Sequence, residues 1–129
     1  MPGYDVEIDR GKNRLYLTLE GMLDPETADQ HVEDMLDVAE ELEPGFDMVN
    51  DISAFKPLSQ ETTDAIERGK AGLTDMGVSA VVRVVGDSVV SKMQFDRVGT
   101  ESEGYHVATA ETREQAEALL DEFRRQAEE

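Results

Sequence analysis

The side chains able to do chemistry in this chain are few, and their spacing suits catalysis poorly. Cysteine is absent, which removes thiolate nucleophiles, thiol metal ligands and disulfides together. The two histidines are His31 and His106. His31 falls with Asp34 on an acidic helix face; one imidazole and one carboxylate make a thin metal site, and a solvated face is the expectation. No Ser-His-Asp order and no Gly-rich phosphate loop is present. No catalytic residue, metal or cofactor is therefore expected, and the chain reads as non-enzymatic. What remains is a set of carboxylates and hydroxyls at the ends of apolar runs: Asp24, Asp51, Ser53, Ser59, Asp87, Ser88, Thr109 and Thr112. In an α/β sheet such positions collect at one edge, where ligands bind. Helix N-caps want the same residue types, and capping alone accounts for Asp24, Ser59, Thr112 and one of Asp87 or Ser88. A ligand held by Asp24, Asp51 and Asp87 would be a cation or a basic group rather than a bare phosphate.

The elements that must position these residues follow from periodicity. Tyr4, Val6 and Ile8 alternate with Asp5, Glu7 and Asp9, which predicts a half-buried edge strand. Across the turn Gly11-Lys12-Asn13, Leu15, Leu17 and Leu19 alternate in the same way, so an antiparallel hairpin opens the chain. Asp24-Pro25 pairs an N-cap with the proline favoured at the first helical position. The helix stripe Ala28, Val32, Met35, Leu36, Ala39 and Leu42 follows, up to Pro44-Gly45. A strand over 46–52 ends at a polar corner. Ser59 then caps a helix with Ala65, Ile66, Gly69, Leu73 and Met76 on one side; Gly69 there would let the helix approach the sheet closely. The run 78–85 is almost unbroken Val and Ala, a strand covered on both faces. Gly86-Asp87-Ser88 opens a third helix carrying Val89, Val90, Met93 and Val98. A short strand over 105–108 precedes Thr112-Arg113-Glu114-Gln115, whose spacing is that of a capping box. The last helix has Ala116, Leu119, Leu120, Phe123 and Ala127 along its stripe.

The predicted order is β-β-α-β-α-β-α-β-α in one domain spanning 1–129. The fold class is α/β: a mixed, mostly parallel sheet with an antiparallel N-terminal hairpin, covered by four helices. This order resembles that of STAS domains, and in particular of the SpoIIAA-like family. Three stretches carry the likeness. Met48-Val49-Asn50-Asp51-Ile52-Ser53 is similar to the family's apolar strand ending in Asp-aliphatic-Ser. Ser79 through Asp87 looks like its Ala-Val-Val-Gly-Asp strand and turn, and Gln115-Ala116 with Leu119-Leu120 resembles its closing helix. In the phosphorylated antagonists of that family the corner reads Asp-Ser-Ser/Thr-Gly. Here Ser59-Gln60-Glu61-Thr62 falls at that place, so Gln60 and Glu61 occupy the acceptor position and the glycine is lost. The resemblance implies a regulatory domain that docks a protein partner through Asp51, Ser53, Phe55, Leu58, Ser59 and Thr62. Ser59 and Thr62 are the candidate phosphorylation sites, near the family's acceptor but not equivalent to it. Phe55, Pro57 and Leu58 would form the apolar tip of that corner. The resemblance also implies an alternative, through the related Sec14-type fold: a carrier of a small apolar ligand or lipid between helices and sheet.

Composition narrows the partners. The 129 residues hold 30 Asp and Glu against 12 Lys and Arg, a net charge of -18. Such a surface repels itself in dilute buffer. At roughly 1 M salt the Debye length falls to about 3 Å and screens most of the repulsion, so a halophilic, salt-rich cytoplasm is the expected setting. Acids are spread along the whole chain, which favours solubility over one acidic docking tail. Nucleic acid is not expected as a ligand: the only adjacent basic pair, Arg124-Arg125, is followed by Glu128 and Glu129. No apolar run approaches the ~20 residues of a membrane span, and no basic-then-apolar leader opens the sequence, so a cytoplasmic location is expected.

Overall fold

The computed structural model describes residues 3–21, 24–55, 60–85 and 106–128, and of residues 55, 60–63, 106, 127 and 128 the backbone alone. The hairpin pairs β1 (Gly3–Asp9) with β2 (Arg14–Gly21), antiparallel from Gly3 opposite Glu20 to Asp9 opposite Arg14. Asn13 closes the turn at φ 52°, a left-handed conformation that asparagine tolerates better than most side chains. Then come α1 (Pro25–Ala39), β3 (Asp47–Phe55), α2 (Gln60–Met76), β4 (Ala80–Val84), β5 (His106–Ala110) and α3 (Arg113–Glu128). The strands form one sheet in the order β1-β2-β3-β4-β5, parallel at every pairing after the first. Among the described residues there are three helices, not four; the helix expected from Gly86 through Val98 lies outside them.

Local chemistry sets the helix starts. The Asp24 carboxylate accepts from the Thr27 amide at 2.7 Å, and Pro25 occupies the first helical position. At α3 the Gln115 amide donates to Thr112 Oγ1 at 3.2 Å. The Gln115 side chain reaches back to the Glu111 amide at 3.0 Å, one residue earlier than the usual capping-box partner.

The two sheet faces are covered differently. Under α1 and α2 lie Leu15, Leu17, Leu19, Met48, Ile52 and Val81, which pack with Ala28, Val32, Met35, Ile66 and Leu73. Each fully buried leucine here contributes roughly 1.5–3 kcal/mol. Tyr4, Val6 and Ile8 pack at its edge, as their alternation predicts. On the opposite face Val49, Ala80, Val82, Val84 and Ala110 meet Ala116 and Leu120 of α3. β4 is buried along its whole length, in keeping with a strand covered on both sides. Leu119, placed on the apolar stripe by spacing, is 37% exposed; Phe123 is partly buried.

Two further differences bear on function. β3 does not stop at the polar corner: it runs on to Phe55, with Ala54 opposite Glu20 and Phe55 opposite Gly21 after a register shift at Thr18/Glu20. Asp51 and Ser53 therefore lie within a strand. Gly69 serves contact between helices rather than with the sheet. A Cβ there would sit 3.1 Å from Met35 Cε and 3.6 Å from Val32 Cγ2, so its absence lets α2 close on α1.

Candidate functional site

The corner predicted from the sequence is only partly gathered. Asp51 is half-buried, opposite Thr18 on β2 and Val84 on β4. Ser53 is exposed and donates to Asp51 Oδ1 through both its amide, at 3.1 Å, and its hydroxyl, at 2.7 Å. The two side chains thus tie each other down in an Asx-type contact. Phe55 ends β3 beside Gly21, and Thr62 lies in the first turn of α2; their side chains lie outside the described atoms. Leu58, Ser59, Asp87 and Ser88 lie outside the described residues. Asp24 and Thr112 are engaged as helix caps. Their chemistry is thereby accounted for without a ligand.

The structure gathers buried polarity elsewhere, in two places. The first lies under α3, at the start of β2 and β3. Arg14 is 0% exposed and grips Asp47 with two bonds, Nε to Oδ1 at 2.7 Å and Nη2 to Oδ2 at 3.2 Å. Its other donors reach Glu117 at 2.9 Å and Asp121 at 3.0 Å on α3. Arg124 of the same helix bonds Asp47 Oδ2 at 2.8 Å and the Asn13 carbonyl at 2.8 Å. Tyr16 donates to Glu117 at 2.5 Å, and Arg113 lies 4.7 Å above the Tyr16 ring. Burial alone would raise the Glu117 pKa; hydrogen bonds from Tyr16, Arg14 and Lys12 overcome it and hold the group at about 2. Burial and the Glu117 contact push the Tyr16 phenol up to about 12. Burial also opposes the charge on Arg14, but its bonds to Asp47 and Glu117 outweigh it and raise its pKa. A paired network of this kind orients α3 on the sheet and leaves no group poised for chemistry.

The second place lies on the other face, between α1, α2 and the sheet. A cavity of about 30 Å³ is bordered by His31, Met35, Asn50, Gly69, Lys70 and Arg83, with leucines and valine around them. Asn50 and Arg83 are register partners on β3 and β4 and point to the same side. His31 is 2% exposed, which corrects the expectation of a solvated face: it projects into the core, its ring 5.9 Å from that of Tyr4. Asp34 is turned instead to Tyr4 and Gln30. Burial lowers the His31 pKa, against the opposing influence of the Ala28 backbone and the Asp29 and Asp34 charges, so the ring is neutral near pH 7. By geometric criteria His31 Nδ1 and Asn50 Oδ1 are both buried and have no hydrogen-bond partner among the described residues. Lys70 and Arg83 are engaged in interactions of their own. Among the described residues no group of three or more His, Cys, Asp or Glu is placed to hold a metal.

Sequence reasoning missed both places, although the signal was present. Residues 28, 31, 32, 35 and 39 follow helical spacing, which puts His31 on the apolar stripe. Asn50 alternates with Met48 and Ile52, and Arg83 interrupts a valine strand that is covered on both sides.

This arrangement defines a class: a SpoIIAA-like α/β fold, with an antiparallel hairpin leading a parallel sheet between helices. The crystal structure of an uncharacterized protein of the DUF3478 family with a SpoIIAA-like fold, from Shewanella loihica PV-4, matches the chain with a TM-score of 0.70. The match covers 93% of this chain and 95% of that one at 18% identity, a likeness that carries the fold alone. No protein-family model matches the sequence, and no curated protein matches it. No helix among the described residues is long and apolar enough to cross a membrane.

Proposed function

We propose that this chain is a non-enzymatic regulatory or protein-interaction domain that docks a protein partner at the end of β3 and the start of α2. One observation carries the reading. Among the described residues, β3 is paired with β4 only as far as Asp51, opposite Val84, yet it continues to Phe55 beside β2. Ser53 and Ala54, on this overhang, are exposed. A strand end that projects past its neighbour presents backbone and side chains together, as an edge-reading partner requires. The Asp51–Ser53 contact holds the overhang in one conformation and lowers the ordering cost of binding. Thr62 stands in the first turn of α2, where the amides and dipole favour a phosphate. Phosphorylation of Ser59 or Thr62 would then switch docking by adding negative charge to this stretch of the chain.

The experiment is capture of partners from the native lysate at multimolar salt, with the wild type and the Leu58→Ala, Ser59→Asp and Thr62→Asp variants. A specific protein retained by the wild type and lost on Leu58→Ala supports the corner as the docking surface. If Ser59→Asp and Thr62→Asp bind as the wild type does, the switch is wrong. If Leu58→Ala also binds equally, the corner itself is wrong.

The alternative reading, a carrier of a small apolar ligand or lipid, has the cavity between α1, α2 and the sheet in its favour. At about 30 Å³ that space is close to one or two water molecules in size, far short of an acyl chain, so carriage would require α1 and α2 to part.

A further inference from the structure

Among the described residues β1 is an outer strand, with β2 as its one neighbour in the sheet. Residues 86–105, which link β4 to β5, leave and rejoin the sheet at its opposite edge. In an antiparallel pair alternate residues turn their N–H and C=O groups away from the partner strand, so the outer side of β1 offers a ladder for a further strand. Its two faces differ. Tyr4, Val6 and Ile8 are only partly buried against the core. Between β1 and α1 lies an open groove of about 340 Å³, lined by Tyr4, Val6 and Val38 and by the carboxylates Asp5, Asp34 and Asp37. On the other face Asp5 and Glu7 are exposed. Cations do little to neutralise this edge: Glu7 is 4.0 Å from Arg113, Arg10 is bound to Glu41, and Asp5 and Asp37 form no ion pair among the described residues. The opposite outer strand, β5, has no carboxylate at all.

Charge selects the occupant. A second copy of this chain, paired antiparallel about Val6, would set Asp5 of each strand against Glu7 of the other, and like charges directly opposite destabilise a strand pair. A wholly apolar strand would strip water from the carboxylates without pairing them. A strand with Lys or Arg at alternate positions suits both faces: its cations meet Asp5 and Glu7, and its apolar residues lie beside Tyr4, Val6 and Ile8. We propose that the outer edge of β1, with the groove between it and α1, is a docking site for an extended basic segment of a protein partner, which joins the sheet as a further strand. The 7 residues of β1 set the length of that segment. At roughly 1 M salt, screening over about 3 Å confines the attraction to cations in contact with these carboxylates, which ties affinity to register. β2 separates this edge from the corner at the end of β3, and the proposal does not rest on docking there.

The test is an amide NMR titration of the whole protein at about 1 M KCl with the capped peptide Lys-Val-Lys-Val-Lys-Val-Lys. Two further peptides serve as controls: the same composition rearranged as Lys-Lys-Val-Val-Val-Lys-Lys, and the acidic Glu-Val-Glu-Val-Glu-Val-Glu. The alternating basic peptide is expected to shift the β1 amides saturably and to leave those of β5 in place. The rearranged peptide is expected to bind about fivefold or more weakly, and the acidic one not at all. Asp5→Lys combined with Glu7→Lys is expected to weaken binding of the basic peptide by about tenfold. No saturable shift of β1 up to about 5 mM peptide overturns the proposal, and the wild-type series decides this even if the double variant fails to fold. Equal affinity for the rearranged peptide overturns strand addition, and equal affinity for the acidic peptide, or for the double variant, overturns the assigned role of Asp5 and Glu7. β1 shifts that follow protein concentration alone, with a dimer in sedimentation, give the edge to a second copy and overturn the proposal as well.

Discussion

The two faces of this sheet treat buried polarity in opposite ways. Under α3, Arg14, Asp47, Glu117, Asp121 and Arg124 are all paired, and every bond ties one element to another. Under α1 and α2, His31 Nδ1 and Asn50 Oδ1 have no hydrogen-bond partner among the described residues. A paired network substitutes for a large apolar core. Among the described residues the α3 face has mostly valine and alanine, with Leu120 as its one buried leucine, and the ion pairs supply the orientation that packing alone would leave loose. The α1/α2 face has an ample leucine-rich core and can carry unsatisfied atoms beside a cavity.

The largest expected effect breaks the paired side. Asp47→Ala removes the carboxylate shared by Arg14 and Arg124, and leaves Arg14 charged and buried. A loss of about 3–5 kcal/mol is expected, measured by urea unfolding at high salt. A loss below about 1 kcal/mol would mean that water replaces Asp47 readily and that the network does not fix α3.

Acid should loosen the same side by a smaller amount. Glu117 has a pKa of about 2 in the folded protein against an ordinary 4.5. A depressed carboxylate stabilises the fold above the ordinary value and loses that contribution as pH falls from about 4.5 towards 2. Because Glu117 remains partly exposed, on the order of 1 kcal/mol is expected after screening. Glu117→Gln should flatten the stability profile in that window. An unchanged slope would remove Glu117 from the network's account of acid sensitivity.

The fold was largely legible because alternation and helical spacing are direct consequences of which side of each element is covered. Leu15, Leu17 and Leu19, or Ala28, Val32 and Met35, admit one reading only. The buried ions were harder to read. Arg14 and Tyr16 occupy the positions of a solvated strand face, and only the arrival of α3, about a hundred residues later, turns that face into an interior. The extension of β3 past Ser53 was hidden for a related reason. Asp and Ser look like a strand end, while the pairing that continues the strand comes from β2 after a register shift. His31 was misjudged through its acidic neighbours in sequence, although its neighbours in space are set by the spacing of three and four. Of the candidate corner, the sequence put Asp51 and Ser53 at a strand end, whereas both lie within β3, and it gave no sign of their mutual hydrogen bond.

The smallest effect should sharpen the comparison most. Asn50 lies three residues beyond Asp47 on the same strand, but faces the other side, with Oδ1 unsatisfied next to the cavity. Asn50→Leu removes that atom and places additional apolar volume where about 30 Å³ is available. Relief of an unpaired buried acceptor is worth about 1–3 kcal/mol, and crowding of a packed core costs a similar amount. The cavity reduces the crowding, so the expected change is within about 1 kcal/mol, on the stabilising side, in the absence of added ligand. Urea midpoints of Asn50→Leu and Asp47→Ala, measured together, set the two faces against each other on one strand. A loss above about 2 kcal/mol for Asn50→Leu would show that Asn50 is paired as firmly as Asp47, and the asymmetry between the faces would vanish with it.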